Sequence, residues 1–582
     1  MKKISTILEL CFTICYGAFF FLAPFFQGFY RLTEWELQTI LFGMIAVLGI
    51  LILFFRKQKI KWTWFQFFAL CFPLFYLFPI LFKTYPTSIE VQFQYLFVMY
   101  EWLLLAFFWY QVYGTTKNQF LYGFILGSVV ISLLVSLIYF ADPQWFSSVG
   151  IYSAYLDYYP TAAARLYGLF TYPNTFALWL SLGFLLNFWI LSKRYPKTSL
   201  LLSFFLLFGL TLSASRMIVV FLGGILLVVF WDHRKEKEKI WKLLCILGSS
   251  IFPLFMAYKA FRNFTVTGNF SLFFLLFLLA IGIFYVLFWG LQKGKIWWKG
   301  FLFSLCVLFP MLFLCSPQGK IYHPGVIQKE SNLYLLDLNG LEKQHPYRMT
   351  MKIENKGRIQ DTNLRFGVIW EKEKNLSSDE TIERFVLDQK ENNITFEFTT
   401  RKEFEYYYLQ GVHLAYDSDY YFYPVVLTDL ETGESKEYPF DYWFVPYHLV
   451  DQLEMIRYDQ GSVEGRLEIY QTVWKQSQGN RFFGQGSMAH WVNGIKSEQV
   501  QMLEEHSYIV SLFAEVGFFG MVPFLGFALI LLFLFWNDRN RGILTYSLLL
   551  ILASITFDFT FRFGIMPVIF YLYLFLYEKE RL

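Results

Sequence analysis

The chain has 582 residues, of which 56% are apolar and only 16% charged, with a formal net charge of +4. Soluble globular chains carry roughly a quarter charged residues, so too few polar groups are present to cover a water-facing surface, and nothing suggests a nucleic-acid partner. The 71 Phe, 39 Tyr and 18 Trp suit lipid-facing helices with aromatic belts at the membrane surfaces. In chain order, Met1-Lys2-Lys3 opens an apolar run that reaches Arg31 with no small-residue cleavage site, which reads as a retained first helix rather than a signal peptide. Apolar runs of spanning length follow near 37–55, 64–82, 92–113, 120–140, 175–192, 199–214, 217–231, 241–258, 270–290, 300–315, 508–536, 542–558 and 564–577. All six cysteines lie in or beside such runs, so no disulfide framework or cysteine metal site is implied.

The connecting loops alternate in charge. Those around Arg56-Lys57, Lys193-Arg194, Arg234-Lys235, Lys293–Lys299, Arg539–Arg541 and Lys579–Arg581 hold roughly three times the Lys and Arg of the opposite set. Positive loops stay cytoplasmic, which places both termini inside and turns 31–38, 83–90, 141–174, the turn at Arg216, 259–269, 316–505 and 557–563 outward. Within the large outer segment, 317–447 changes to soluble composition. Alternating runs at Arg348–Glu354, Leu364–Trp370, Ile394–Thr400, Val412–Tyr416 and Tyr420–Thr428, separated by turn signals such as Glu431-Thr432-Gly433, predict a small antiparallel sandwich. Its tyrosine run 406–408 suits either stacking on sugar rings or strand packing. From His448 to Ser477 the apolar spacing becomes helical, with a break near Gly461. The expected fold is therefore an all-α polytopic membrane protein of about fourteen transmembrane helices with an inserted extracytoplasmic antiparallel β-sandwich domain. Its parts are 1–316, the β-rich 317–447, the helical 448–507 and the C-terminal spans 508–582.

Four polar motifs share the predicted outer face. Arg165 opens the first, closed by Gly168 and Pro173-Asn174, and is either a donor to an anionic headgroup or an interfacial cap. In the second, Ser213-Ala214-Ser215-Arg216 forms a tight turn between two spans. A charge held near a membrane is costly and points to function, and the guanidinium fork suits phosphate, although a snorkelling Arg is the plainer alternative. The third carries Arg466 on an amphipathic helix and then Phe483-Gly484-Gln485-Gly486, which lacks the context of a nucleotide loop. The last places His506 at the mouth of a span, where imidazole can take a proton near neutral pH. Glu515 follows, either orienting an Arg or satisfying a polar pocket. Glu101, in mid-span, has no role assigned.

In this order and on one face, these motifs resemble the O-antigen ligase and polymerase superfamily of bacterial membrane glycosyltransferases. The likeness covers 160–231 and 460–536, and it departs from the family at Ser507, where Asn usually follows the His, and in the elaborate 317–447 insertion. The resemblance implies a helical fold with a lateral, lipid-accessible cavity in the bacterial plasma membrane. It also implies a glycan donor linked through pyrophosphate to a polyprenol, and a glycan, lipid, protein or wall acceptor. On that basis Arg216 and Arg466 are expected to hold the pyrophosphate with Arg165 assisting. His506 is expected to act as base, and Asn174, Ser215 and Glu515 to line the site. The activated donor needs no cofactor and no metal, and none is visible in the sequence. A transporter or flippase of lipid-linked glycans, or a sensor whose sandwich binds a ligand, remains open beside this reading.

Overall fold

The computed structural model describes residues 2–141, 166–293, 320–322, 332–438, 460–487 and 495–581, apart from short stretches within these ranges such as 356–362, 371–377, 413–419 and 503–506. Among the described residues, ten helices are long and apolar enough to cross a membrane, from Lys3–Phe26 to Tyr508–Asn537. Two more apolar helices, Met217–Asp232 and Ile543–Phe557, are shorter, and Ile565–Arg581 follows them. The predicted span at 300–315 lies outside the described residues.

Local chemistry sets where these helices begin. Thr63 and Ser88 accept hydrogen bonds from the backbone N–H groups of Gln66 and Val91, filling donors that a helix start leaves unpaired. Pro173 stands in the first helical turn of Pro173–Leu186, where its missing N–H costs nothing. Burial then separates central from peripheral helices. The span Pro173–Leu191 is 83% buried within the protein, whereas Phe270–Lys293 is 22% buried and turns apolar side chains outward.

The described residues divide into two compact units, one drawn from 1–137, 167–241 and 458–582, the other from 138–166 and 242–457. The second contains two antiparallel sheets. Their strands are β1 (Lys320–Tyr322), β2 (Asn332–Leu338), β3 (Pro346–Asn355), β4 (Asn363–Trp370), β5 (Ser378–Val386), β6 (Glu391–Thr399), β7 (Tyr406–Val412), β8 (Tyr420–Phe422), β9 (Val425–Asp429) and β10 (Ser435–Tyr438). One sheet runs β1-β8-β3-β9-β10 with β6 also on β3, and the other runs β2-β7-β4-β5. Met349, Ile353, Leu364, Phe366, Tyr407 and Leu409 join in one apolar cluster fed by both sheets.

One expectation changes here and one alternative closes. The tyrosine run 406–408 opens β7, with Tyr407 and Tyr408 at most 1% exposed, so strand packing, the second of the two readings offered, accounts for it. Tyr408 pairs across from Gly367, where a Cβ would stand 2.3 Å from the tyrosine ring, so the bare glycine admits the ring. The predicted run Tyr420–Thr428 is two strands parted at Tyr423-Pro424, since proline has no N–H to donate to a ladder. Of the predicted strand Val412–Tyr416, residues 413–416 lie outside the described residues, as does the region before the helix Gln460–Gln476.

Candidate functional site

The candidate site lies in the first unit, where a chain of side-chain hydrogen bonds joins segments far apart in sequence. Ser215 precedes the helix Arg216–Asp232 in extended backbone, is fully buried, and donates its hydroxyl to Asn174 Oδ1 at 2.6 Å. The Asn174 amide donates in turn to Asp558 Oδ2 and to the Tyr172 hydroxyl at 3.0 Å. That hydroxyl donates to the Asp558 carboxylate, 2.8 and 2.9 Å from its two oxygens. The peptide oxygen of Asp558 accepts from the Tyr508 backbone N–H at 3.1 Å. Ser507 Oγ donates to the Thr556 carbonyl at 2.9 Å. Asp558 is fully buried, so these donors replace the water it has lost.

The consequence is geometric. Asp558 follows the end of the helix Ile543–Phe557 and ties to it the starts of three others, Pro173–Leu186, Arg216–Asp232 and Tyr508–Asn537. Helix starts carry partial positive charge and unfilled N–H groups, which favours the Asp558 carboxylate that lies where three of them meet. Arg216 is the first residue of one of these helices, and His506 stands two residues before another. The side chain of Arg216, and His506 as a whole, lie outside the described residues, as do Arg165 and the side chain of Arg466.

From this cluster an apolar groove of about 740 Å³ runs between three helices, lined by residues such as Val220, Ile225, Phe524, Leu532 and Leu549. Ile509 and Thr556 line it beside the cluster, and Trp536, near the end of the helix Tyr508–Asn537, and Arg541, in the turn that follows, line it further along.

Glu515 belongs to a second buried group. The helix Tyr508–Asn537 breaks at Gly517, whose φ of 61° and ψ of −166° belong to a region that essentially only glycine occupies. The break strands backbone groups that a regular helix would pair, and the Phe-Gly-Gln-Gly segment supplies their partners. Gln485 and Gly486 N–H donate to the carbonyls of Ala514 and Glu515 at 2.8 and 2.9 Å, while Phe518 and Phe519 N–H donate to those of Arg481 and Phe482 at 2.9 and 3.0 Å. A Cβ on Gly484 or Gly517 would lie 2.3 Å from the facing carbonyl oxygen, so both glycines are required by close backbone approach. Gly484 and Gly517 together serve as a backbone splice. Just before the break, Glu515 accepts from Arg562 at 3.0 Å and from the Tyr76 hydroxyl at 2.9 Å. The arginine it orients is therefore none of those singled out in the sequence. The helix Gln460–Gln476, which carries Arg466, packs Ile469 and Val473 on Phe513 and Ala514 of the same broken helix.

Asn174, Ser215 and Glu515 are thus three predicted residues whose side chains the structure describes, and the first two are directly bonded. Asp558 and Arg562 were missed. Their signal was the Asp-Phe-Thr-Phe-Arg turn between two spans, on the face already predicted to be outer. Glu101, buried in mid-helix, accepts from Gln38 Nε2 at 2.7 Å, and Gln38 accepts from the Trp102 indole at 3.0 Å, a polar group packed against Gly564. Among the described residues, no three His, Cys, Asp or Glu side chains gather as metal ligands. No protein-family model, curated protein or solved structure matches the chain.

Proposed function

We propose that the protein is a glycosyltransferase of the O-antigen ligase and polymerase type in the bacterial plasma membrane. It moves a glycan from a polyprenyl-pyrophosphate donor to an acceptor hydroxyl on the extracytoplasmic face. In this reading about fourteen helices cross the bilayer, with both termini cytoplasmic and the two sheets forming an extracytoplasmic sandwich. The observation that carries the proposal is the hydrogen-bonded chain Ser215–Asn174–Asp558–Tyr508. It gathers the backbone beside Arg216 and His506 at three helix starts, and it adjoins an apolar groove suited to an isoprenoid tail.

In the reaction, the acceptor oxygen attacks the anomeric carbon of the donor sugar and forms the new glycosidic bond. The bond from that carbon to the phosphate oxygen breaks, and its electron pair leaves with the diphosphate. Arg216 and Arg466, with Arg165 assisting, stabilise the charge growing on the leaving group, which fixed guanidinium groups do well where water is excluded. His506 takes the acceptor proton, so the anomeric configuration inverts. Arg466 precedes Ile469 by three residues and Val473 by seven, the spacing of one helix face, so its position is on the side that packs against the broken helix. Asp558 acts as a positioning residue, holding Asn174 and the start of the Tyr508–Asn537 helix.

The test uses purified protein in nanodiscs with an undecaprenyl-diphosphate glycan and an acceptor glycan. Release of undecaprenyl diphosphate with a matching glycosidic product supports the transferase. In sealed vesicles, passage of the intact lipid-linked glycan across the bilayer without bond cleavage would instead favour a flippase.

A further inference from the structure

The helix Gln460–Gln476 has two sides with different surroundings. Ile469 and Val473 pack on Phe513 and Ala514 of the broken helix. Leu467 and Trp474, seven residues apart and so on one side of the helix, are instead 51% and 44% exposed. Phe482, in the segment that fills the Gly517 break, is 57% exposed. Single exposed apolar side chains are common on any protein surface, but a run of stacked rings connects this region. Trp474 stacks on Phe513 at 5.3 Å and meets the edge of Phe518 at 6.0 Å. Phe482 lies 5.8 Å from Phe519 and stands edge-on to Phe483 at 4.8 Å. Phe483 in turn stacks on Phe82 at 4.3 Å.

That last contact joins the patch to an apolar helix of spanning length. Phe82 ends the segment Trp64–Phe82, whose Phe67, Leu74 and Leu81 are exposed at every seventh position, the stripe of a lipid-facing helix. The depth agrees from a second helix. About 20 residues cross a hydrocarbon core. Counting that many back from the exposed Trp536, near the far end of Tyr508–Asn537, arrives at Val516, beside the break. Both counts end at the 481–483 segment, where hydrocarbon gives way to headgroups. Basic side chains stand at the same place. The Arg481 guanidinium lies 4.0 Å over the Trp474 ring and donates to the Trp474 carbonyl at 3.2 Å, and the neighbouring Lys475 is exposed. An apolar strip bordered by tryptophan and basic groups is the pattern of a helix lying in a membrane surface.

We infer that the helix Gln460–Gln476 and the 481–483 segment form a membrane-surface anchor. Leu467, Trp474 and Phe482 enter the leaflet at the hydrocarbon boundary, and Arg481 and Lys475 meet phospholipid phosphates. Bilayer phospholipid is the occupant of this face, because the patch continues a lipid-facing stripe and carries its cations where that stripe ends. The inference stands apart from the transferase reading. Within that reading it adds that Arg466 is held at the depth of the phosphates, since its helix lies between the leaflet and the broken helix.

The test is photo-crosslinking of the full chain in nanodiscs of phosphatidylglycerol and phosphatidylethanolamine. The probe p-benzoylphenylalanine replaces Leu467, Trp474 or Phe482 singly, and adducts are read by mass spectrometry. Because each side chain is exposed, the substitutions leave the packed face untouched. Phe533, exposed in mid-helix, serves as the lipid-facing reference. The anchor predicts phospholipid adducts at all three positions, in yields comparable to those at Phe533. Crosslinks to protein peptides alone, or no adducts at all three positions, with phospholipid captured at Phe533, would overturn the anchor and leave the transferase reading untouched. Absence of phospholipid adducts at Phe533 as well would overturn the assignment of that helix to the bilayer, and the anchor with it.

Discussion

Two ends of one group of helices invite comparison. At one end Asp558 is bound by a tyrosine hydroxyl and an amide, and three helix starts meet around it. At the other, Asp232 ends the helix that Arg216 begins, and its carboxylate pairs with Arg541 at 3.0 and 3.1 Å and accepts from Tyr546 at 2.9 Å. Arg541 also donates to the carbonyls of Phe535 and Trp536, placing a cation on a helix end that carries partial negative charge. Each carboxylate is held by a tyrosine, yet the two ends differ in what they can receive. The Asp232 end is closed by a charge pair. The Asp558 end gathers three positive helix starts around a carboxylate, and in the proposed function this is the end that receives the donor headgroup.

The largest expected effect lies at the Asp558 end. Arg216→Lys, Arg466→Lys and His506→Ala, each at unchanged membrane level, should lower product formation by about a hundredfold or more, as loss of one transition-state donor does. Normal product in all three would remove the mechanism. Asp558→Ala leaves the buried Asn174 and Tyr172 groups without their acceptor, a cost of roughly 1–3 kcal/mol. It should reduce turnover more than it reduces the melting temperature in detergent. The matching change at the opposite end, Arg541→Lys, should do the reverse. It loses the two-point pairing with Asp232, about 1 kcal/mol for a partly exposed pair, and should lower thermal stability with turnover preserved. If Arg541→Lys cost as much activity as Asp558→Ala, the two ends would not differ in function.

How much of this contrast was legible in the sequence depended on the range of the signal. Ser215, Asn174 and Glu515 stood out because polar residues interrupting or bordering apolar runs are few. Asp558 did not, because a lone acidic residue in a short turn reads as an interfacial charge. Its partner Tyr172 lies 386 residues away, beyond any local pattern. The same holds for the pairing of Arg562 with Glu515. Gly517 does not read as a helix break in the sequence, since glycine is common in membrane helices and the groups that pair with the break come from the 481–486 segment. In the β-rich region, long alternating strands such as β3 and β4 were legible. The short β1 and β10 were not, and neither were β2 and β5, whose apolar residues do not alternate cleanly.

Smaller effects sharpen the contrast from outside both ends. Gly517→Ala should destabilise the protein by about 1–3 kcal/mol through backbone strain, read as a lower melting temperature. An unchanged value would deny the splice its importance. In the second unit, His345 Nε2 lies 2.8 Å from Asp429, with Glu342 and Glu431 at 3.7 and 3.8 Å from its other ring nitrogen. The Asp429 carboxylate beside it raises the His345 pKa, and the Thr432 backbone N–H and then His345 lower that of Asp429. A raised histidine contributes stability that is complete below its ordinary value near 6.5 and is lost as the pH rises through the raised value. A lowered aspartate contributes stability above its ordinary value, lost in stronger acid. Hydrogen-exchange protection of the β9–β10 hairpin, corrected for intrinsic rates, should therefore be greatest in mild acid and decline toward alkaline pH. The alkaline decline should vanish in His345→Gln.

The most direct measurement is photo-crosslinking with undecaprenyl diphosphate that carries a diazirine on its first isoprene unit, followed by peptide mapping. A diphosphate seated at the three helix starts predicts labelled peptides containing Met217–Val220, Ile509–Leu512 and Ala553–Thr556. Labels confined to Trp536–Arg541 or to the β-sheets, with those peptides unmarked, would contradict the account.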